Sequence, residues 1–278
     1  MEHHPLIRSV PRREQTVPGG SLSDQLTCSH YRYAFVSGFP DSWVPPAEPY
    51  RAMPSLPGFD DEYFDWVALV ESVAAARDRF VFVELGAGFG RWLIRALKLA
   101  TEWRGLTSLG VAVEAEPQHF AFMQQHLCDN AVPGESVRIV QAAIDARDGV
   151  VPFATGRPSD WYGQSIARKP REGPTIDVPA LTLETLLAQT AVDIVDLVHM
   201  DVQKAEAVIV PASRETLRAR VRRVCIGIHG KAGAIVRDTL AADGWRCEVD
   251  YPRKSTCDTP YGSITFGDGV QVWRNPGL

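Results

Sequence analysis

Between Val81 and Trp92 the chain reads VFVELGAGFGRW. An apolar, β-branched run ends in Glu84, glycine then takes every second position, and a helical pattern begins at once. A strand, a glycine turn and a helix in that order bring backbone against a ligand at a strand's carboxyl end, because no Cβ intrudes there. In the dinucleotide pattern G-x-G-x-x-G a third glycine lies three residues after the second, letting helix and strand pack closely. Here Arg91 holds that place, and the last glycine is Gly90.

The rest of the chain fits such a turn into an alternating fold. Apolar runs at 80–84, 109–114, 137–141, 193–200, 222–228 and 262–266 read as strands. Helical spacing occupies 91–103, 117–129, 182–189, 203–219 and 231–243, and Tyr63, Phe64, Val67, Val70 and Val73 mark one more helix. This alternation predicts an α/β protein with a Rossmann-like, doubly wound, mostly parallel sheet.

Residues 1–58 have another texture. They hold nine of the 20 prolines, as in WVPPAEPYRAMPSLPG, yet also Tyr31, Tyr33, Phe35, Phe39, Trp43 and Tyr50. Proline excludes long helices and central strands, while the aromatics argue against a disordered linker. The expectation is a Pro-rich N-terminal arm over 1–58, packed on a 59–278 catalytic domain or exchanged with a second subunit in a homodimer.

Composition narrows the function classes. An apolar share of 45% over 278 residues builds a real core, and a net charge of −5 weighs against a nucleic-acid partner. The five cysteines show no CxxC or Cys/His ligand spacing, so neither disulfides nor a metal site is expected. No apolar run approaches a membrane span or signal peptide, which predicts a cytoplasmic enzyme.

The spacing E-x-G-x-G-x-G resembles motif I of S-adenosylmethionine (SAM) methyltransferases. Glu84 is placed to receive the ammonium of SAM, and Gly86, Ala87, Gly88 and Gly90 to pass backbone under its methionine part and ribose. Glu114 ends the next strand, where an acid accepts ribose hydroxyls, a feature shared with nicotinamide enzymes. Ala142, Ala143 and Ile144 end the third strand and are candidates for the adenine floor. Glu116, before Pro117, reads as a helix-start acid.

Four later stretches, AVEAEPQHFAFMQQHLCDN, VRIVQAAIDARDGVVPF, VPALTLETLL and VDIVDLVHMDVQKAEAVIV, resemble in order the FkbM family of SAM-dependent methyltransferases. The resemblance covers roughly 59–270 and implies a class I methyltransferase fold, SAM as cofactor and a hydroxyl of a sugar, glycan or secondary metabolite as acceptor. Two departures stand out. The family's D-v-E-G-a-E reads Asp201-Val202-Gln203-Lys204-Ala205-Glu206, and its E-x-H reads Gly227-Ile228-His229. Asp201, Glu206 and His229 carry over; a metal site built from the missing acids does not.

Methyl transfer to an alcohol needs alignment and a base for the departing proton. Asp201 and His229 end neighbouring strands, with His229 expected as base and Asp201 orienting it, or the reverse. His199, within an apolar run, reads as structural. The long polar loop TGRPSDWYGQSIARKPREGP offers Trp161, Tyr162, Gln164 and Ser165 to the acceptor, and Arg168, Lys169 and Arg171 to an anionic one. A nicotinamide-dependent oxidoreductase, or a degenerate SAM-binding scaffold acting through protein contacts, are the alternatives.

Overall fold

The computed structural model describes residues 2–38, 43–156, 163–168 and 173–278. Its centre is a seven-stranded sheet of Arg79–Leu85 (β1), Thr107–Glu114 (β2), Val137–Gln141 (β3), Leu197–Met200 (β4), Arg223–Ile228 (β5), Arg246–Tyr251 (β6) and Gly269–Arg274 (β7). The order across the sheet is β6-β7-β5-β4-β1-β2-β3. Only β7 runs against its neighbours β5 and β6.

Helices cover both faces. Tyr63–Ala75 (α1) and Arg91–Lys98 (α2) pack with Met123 and Leu127 of Pro117–Asp129 (α3) on one side. Leu183–Gln189 (α4), Glu206–Ala212 (α5), Arg214–Arg220 (α6) and Ala232–Ala242 (α7) fill the other. The near-continuous apolar runs of β1 and β2 follow from this, because a sheet buried on both faces has no solvent side to alternate toward.

Several expected boundaries shift for local reasons. Residues 99–103 leave the α-helical ladder in a π turn that ends α2's run. The expected 203–219 helix starts only at Glu206, since Gln203 and Lys204 sit at φ 51° and 84°. It then breaks at Ser213, just after Pro211, which withholds a ladder donor. The run at 262–266 is not a sheet strand but pairs with Ser255–Thr259 in a separate hairpin. β6 at the sheet edge and β7 beside it take its place, their apolar residues interspersed with Glu248, Asp250 and Gln271.

A smaller sheet stands at the carboxyl end of β3. Thr175–Leu181 pairs with Ala143–Ile144 on one side and Gly149–Ala154 on the other. Residues 163–168 extend it, through a bridge between Phe153 and Ile166 and bonds from Ala154 to Ser165 and Ala167 to Pro152.

The described residues among the first 58 pack on their own chain. Ile7, Val10 and Leu26 are buried in the same apolar cluster as α1 and β1. Arg95 of α2 donates two bonds of 2.9 and 2.7 Å to Asp24, and its guanidinium packs against both the Trp66 and Trp92 rings, 4.3 and 4.4 Å from their centroids.

Successive connections turn opposite ways from β1 and β4, so the crevice of the sheet opens at their carboxyl ends. The glycine turn and Asp201 both stand there.

Candidate active site

The turn after β1 is fastened to its neighbours by backbone. Gly86 and Ala87 both donate to the Val113 carbonyl, and Gly88 donates to Glu114 Oε2 at 2.7 Å. Gly86, at φ 79°, has no room for a side chain: a Cβ would stand 2.0 Å from the Asp201 carbonyl oxygen. Glycine there lets the turn abut the end of β4. The close packing that a third Rossmann glycine would permit is supplied from β2 instead, where a Cβ on Gly110 would meet Leu93 at 2.2 Å.

Above the turn lies a cavity of about 690 Å³. Of the expected cofactor residues, Glu84, Gly86, Ala87, Gly88, Glu114, Ala142, Ala143 and Ile144 border it. Gly90 does not; it packs behind the turn against Met123. Glu114 is buried, and its second oxygen accepts from the Glu116 amide at 2.7 Å. Glu116 itself caps α3 by accepting from His119 N–H. Burial pushes Glu84 and Glu114 both up to about 7. Glu84 accepts from the Leu93 amide at 2.8 Å, satisfying an orphan donor of α2's first turn.

The cavity has chemically distinct ends. One wall is apolar, with Ala115, Ala143, Phe153 and Ile166. The far end carries Glu62, Arg91, Trp92 and His199. There Asp24, Arg95, Glu62 and Arg91 form a row of alternating charge, in which Glu62 turns one oxygen to each arginine. Burial raises Glu62, but the two guanidinium charges outweigh it and hold the carboxyl below its ordinary value. The arm closes the remaining side with Leu22, Tyr31, Val36 and Trp43. A pocket of this size with a small-residue floor, two buried carboxylates and a charged end fits an adenosyl group bearing an amino acid.

Asp201 borders the cavity and its side chain is 49% exposed, whereas His229 is 6% exposed and lies behind it. His229 Nδ1 meets Glu206 Oε1 at 2.6 Å, and Nε2 faces Asp201 Oδ1 at 3.4 Å and Asp268 Oδ2 at 3.5 Å. Burial lowers the His229 pKa, but the Glu206 bond and the three carboxylate charges outweigh it, leaving a net rise. Desolvation raises Asp201, partly offset by the His229 and His199 charges. Glu206 is fully buried, and its sequence signal was the last acid of D-V-Q-K-A-E.

His199 differs from its expected structural role in one respect, since it borders the cavity. Its Nε2 pairs with Asp65 Oδ1 at 3.0 Å, and Cys225 Sγ reaches the same oxygen at 3.4 Å. The three donors lie within 4.8 Å of one another, a grouping that cysteine and histidine spacing along the chain does not reveal. Hydrogen bonds already join them.

Of the loop residues, Gln164 borders the cavity and Ser165 does not, its carbonyl being bonded to Ala154. Arg168 pairs with Asp145 at 2.6 Å. Trp161, Tyr162, Lys169 and Arg171 lie outside the described residues. Among the described residues, no helix is long and apolar enough to cross a membrane.

Residues 84–249 match the Methyltransferase FkbM domain family, a span that runs from Glu84 through Asp201 and His229. A protein of Jannaschia sp. (strain CCS1), itself only provisionally named a methyltransferase, is 26% identical over 224 residues, covering 76% of this chain and 78% of the relative. Methyltransferase FkbM from Methylobacillus flagellatus KT aligns in structure at 10% identity and a TM-score of 0.47, covering 72% of this chain and 45% of that one. The N-terminal domain of human METTL16 in complex with SAH aligns at 11% identity and a TM-score of 0.42, covering 76% of this chain and 68% of that one. The chain belongs to the FkbM family of SAM-dependent methyltransferases and has their mostly parallel class I sheet.

Proposed function

We propose that the protein is an O-methyltransferase acting on a hydroxyl of a sugar, glycan or secondary metabolite, with Asp201 as the group that takes the acceptor's proton. The observation that carries this reading is the order of residues at the end of β4. Asp201 touches the cavity, His229 stands behind it, and Glu206 clamps His229 from the far side.

SAM supplies the electrophilic methyl group when bound. Glu114 would accept the ribose hydroxyls, Ala142 and Ala143 would carry the adenine, and Arg91 would hold the carboxylate of the amino-acid end. The acceptor hydroxyl donates to Asp201, whose raised pKa makes it a better base than an ordinary surface aspartate. His229, shielded from the cavity and bonded through Nδ1 to buried Glu206, positions that carboxylate. It does not border the cavity, so of the two assignments open in the sequence the one with Asp201 as base is proposed. The arm's Tyr31 and Trp43 border the same cavity and are candidates to meet the acceptor.

The test is methyl-labelled SAM with a panel of methyl glycosides, phenols and primary amines, followed by analysis of the labelled product. Label in an ether supports the reading, and label only on nitrogen overturns it. Asp201→Asn is expected to lower turnover about 10²–10⁴-fold while SAH still binds.

A further inference from the structure

Gln164 is a buried side-chain amide, 7% exposed. Among the described residues neither its Oε1 nor its Nε2 has a hydrogen-bond partner. A buried polar group in that state costs free energy unless something absent from the protein completes it. It borders the cavity, so a ligand there can complete it.

Its place on the wall indicates which part of the ligand. Residues 163–168 run alongside Gly149–Ala154, with Ile166 bridged to Phe153. Gln164 and Ile166 are two apart on this extended segment and so share a face, and both border the cavity with Phe153, Ala143 and Ile144. Ala143, Phe153 and Ile166 pack in one apolar cluster at the end of β3. An apolar slot with one amide at its edge suits a flat heteroaromatic ring that carries adjacent donor and acceptor atoms.

We propose that Gln164 reads the adenine of SAM: its Oε1 accepts from the exocyclic amine and its Nε2 donates to a neighbouring ring nitrogen. A glutamine amide and an adenine edge form two parallel hydrogen bonds of this kind. This moves Gln164 from the acceptor to the cofactor, and it rests on the family's use of SAM. It also makes the polar loop a cofactor clamp at its described end.

Calorimetry with SAH and its 6-deamino analogue, in which purine replaces adenine, tests the assignment. The analogue keeps the ring nitrogens but has no amine for Oε1, so wild type is expected to bind it about tenfold or more weakly than SAH. In Gln164→Leu, which keeps the side chain's bulk, SAH affinity falls and the preference for SAH over the analogue shrinks toward one. Equal binding of the two ligands by the wild type overturns the proposal without any variant. So does a Gln164→Leu protein that binds SAH as tightly as wild type, or that keeps the full preference.

Discussion

Glu206 Oε1 and His229 Nδ1 lie 2.6 Å apart, joining a fully buried carboxylate on α5 to an imidazole at the end of β5. The bond ties the two strand ends of the crevice through the helix that follows β4. It also fixes which imidazole nitrogen faces Asp201. Because the Glu206 bond and the charges of Asp201, Glu206 and Asp268 together outweigh burial, the His229 pKa lies above its ordinary 6.5. Imidazole-detected NMR is expected to show this, and Glu206→Gln to bring the titration down. The stability that His229 contributes by this rise is complete below 6.5 and lost as pH rises through its folded pKa. An unshifted His229 in both proteins would remove Glu206 from the site.

Glu84 behaves oppositely. Its folded pKa, raised by burial from 4.5 to about 7, means that the folded protein holds a proton the unfolded chain has released. Its contribution to stability therefore falls as pH rises from 4.5 through 7. Glu84→Gln keeps an acceptor for the Leu93 amide without the charge. It is expected to match wild type near pH 4.5 and to be more stable by about 1–3 kcal/mol at pH 8 in urea unfolding. A variant less stable at pH 8 would show that the ionised carboxylate is itself stabilising.

The arm is held by an ion pair that excludes water, with Arg95 1% and Asp24 4% exposed. Removing Asp24 leaves the buried Arg95 charge with only the half-exposed Glu62 carboxylate, 3.6 Å away, to compensate it. Asp24→Ala is expected to lose about 3–5 kcal/mol, far more than a surface pair would. Limited proteolysis of this variant should cut first within the arm, and a loss below 1 kcal/mol would mean that the arm packs without the pair.

Lys204 occupies φ 84° where the family pattern carries glycine. Lys204→Gly is expected to raise stability by about 0.5–1 kcal/mol, because a Cβ is disfavoured in the left-handed region. Lys204→Ala retains the Cβ and should bring no gain. Equal gains from both would point to the lysine's charge rather than its backbone.

The sheet's first half was legible because a strand buried on both faces is a plain apolar run, as in β1 and β2. The last two strands were not: β6 and β7 carry Glu248, Asp250 and Gln271, and the apolar run at 262–266 looked more strand-like than either. The cavity lining at the strand ends was readable from Glu84, Glu114, Gly86 and Gly88. What brings Asp65 to His199, or Asp24 to Arg95, is packing between distant segments, 134 and 71 residues apart. Neither pair has a local signal. In the sequence Arg91 stands out only as a missing glycine, while in the fold it pairs with Glu62 at the cavity's edge.

Titration calorimetry of the wild-type protein with SAH and with NAD tests the central claim most directly. The cavity's small floor, its two carboxylates and its charged end predict that SAH binds at one site per chain and that NAD gives no heat of binding. Binding of NAD with no response to SAH would contradict the account.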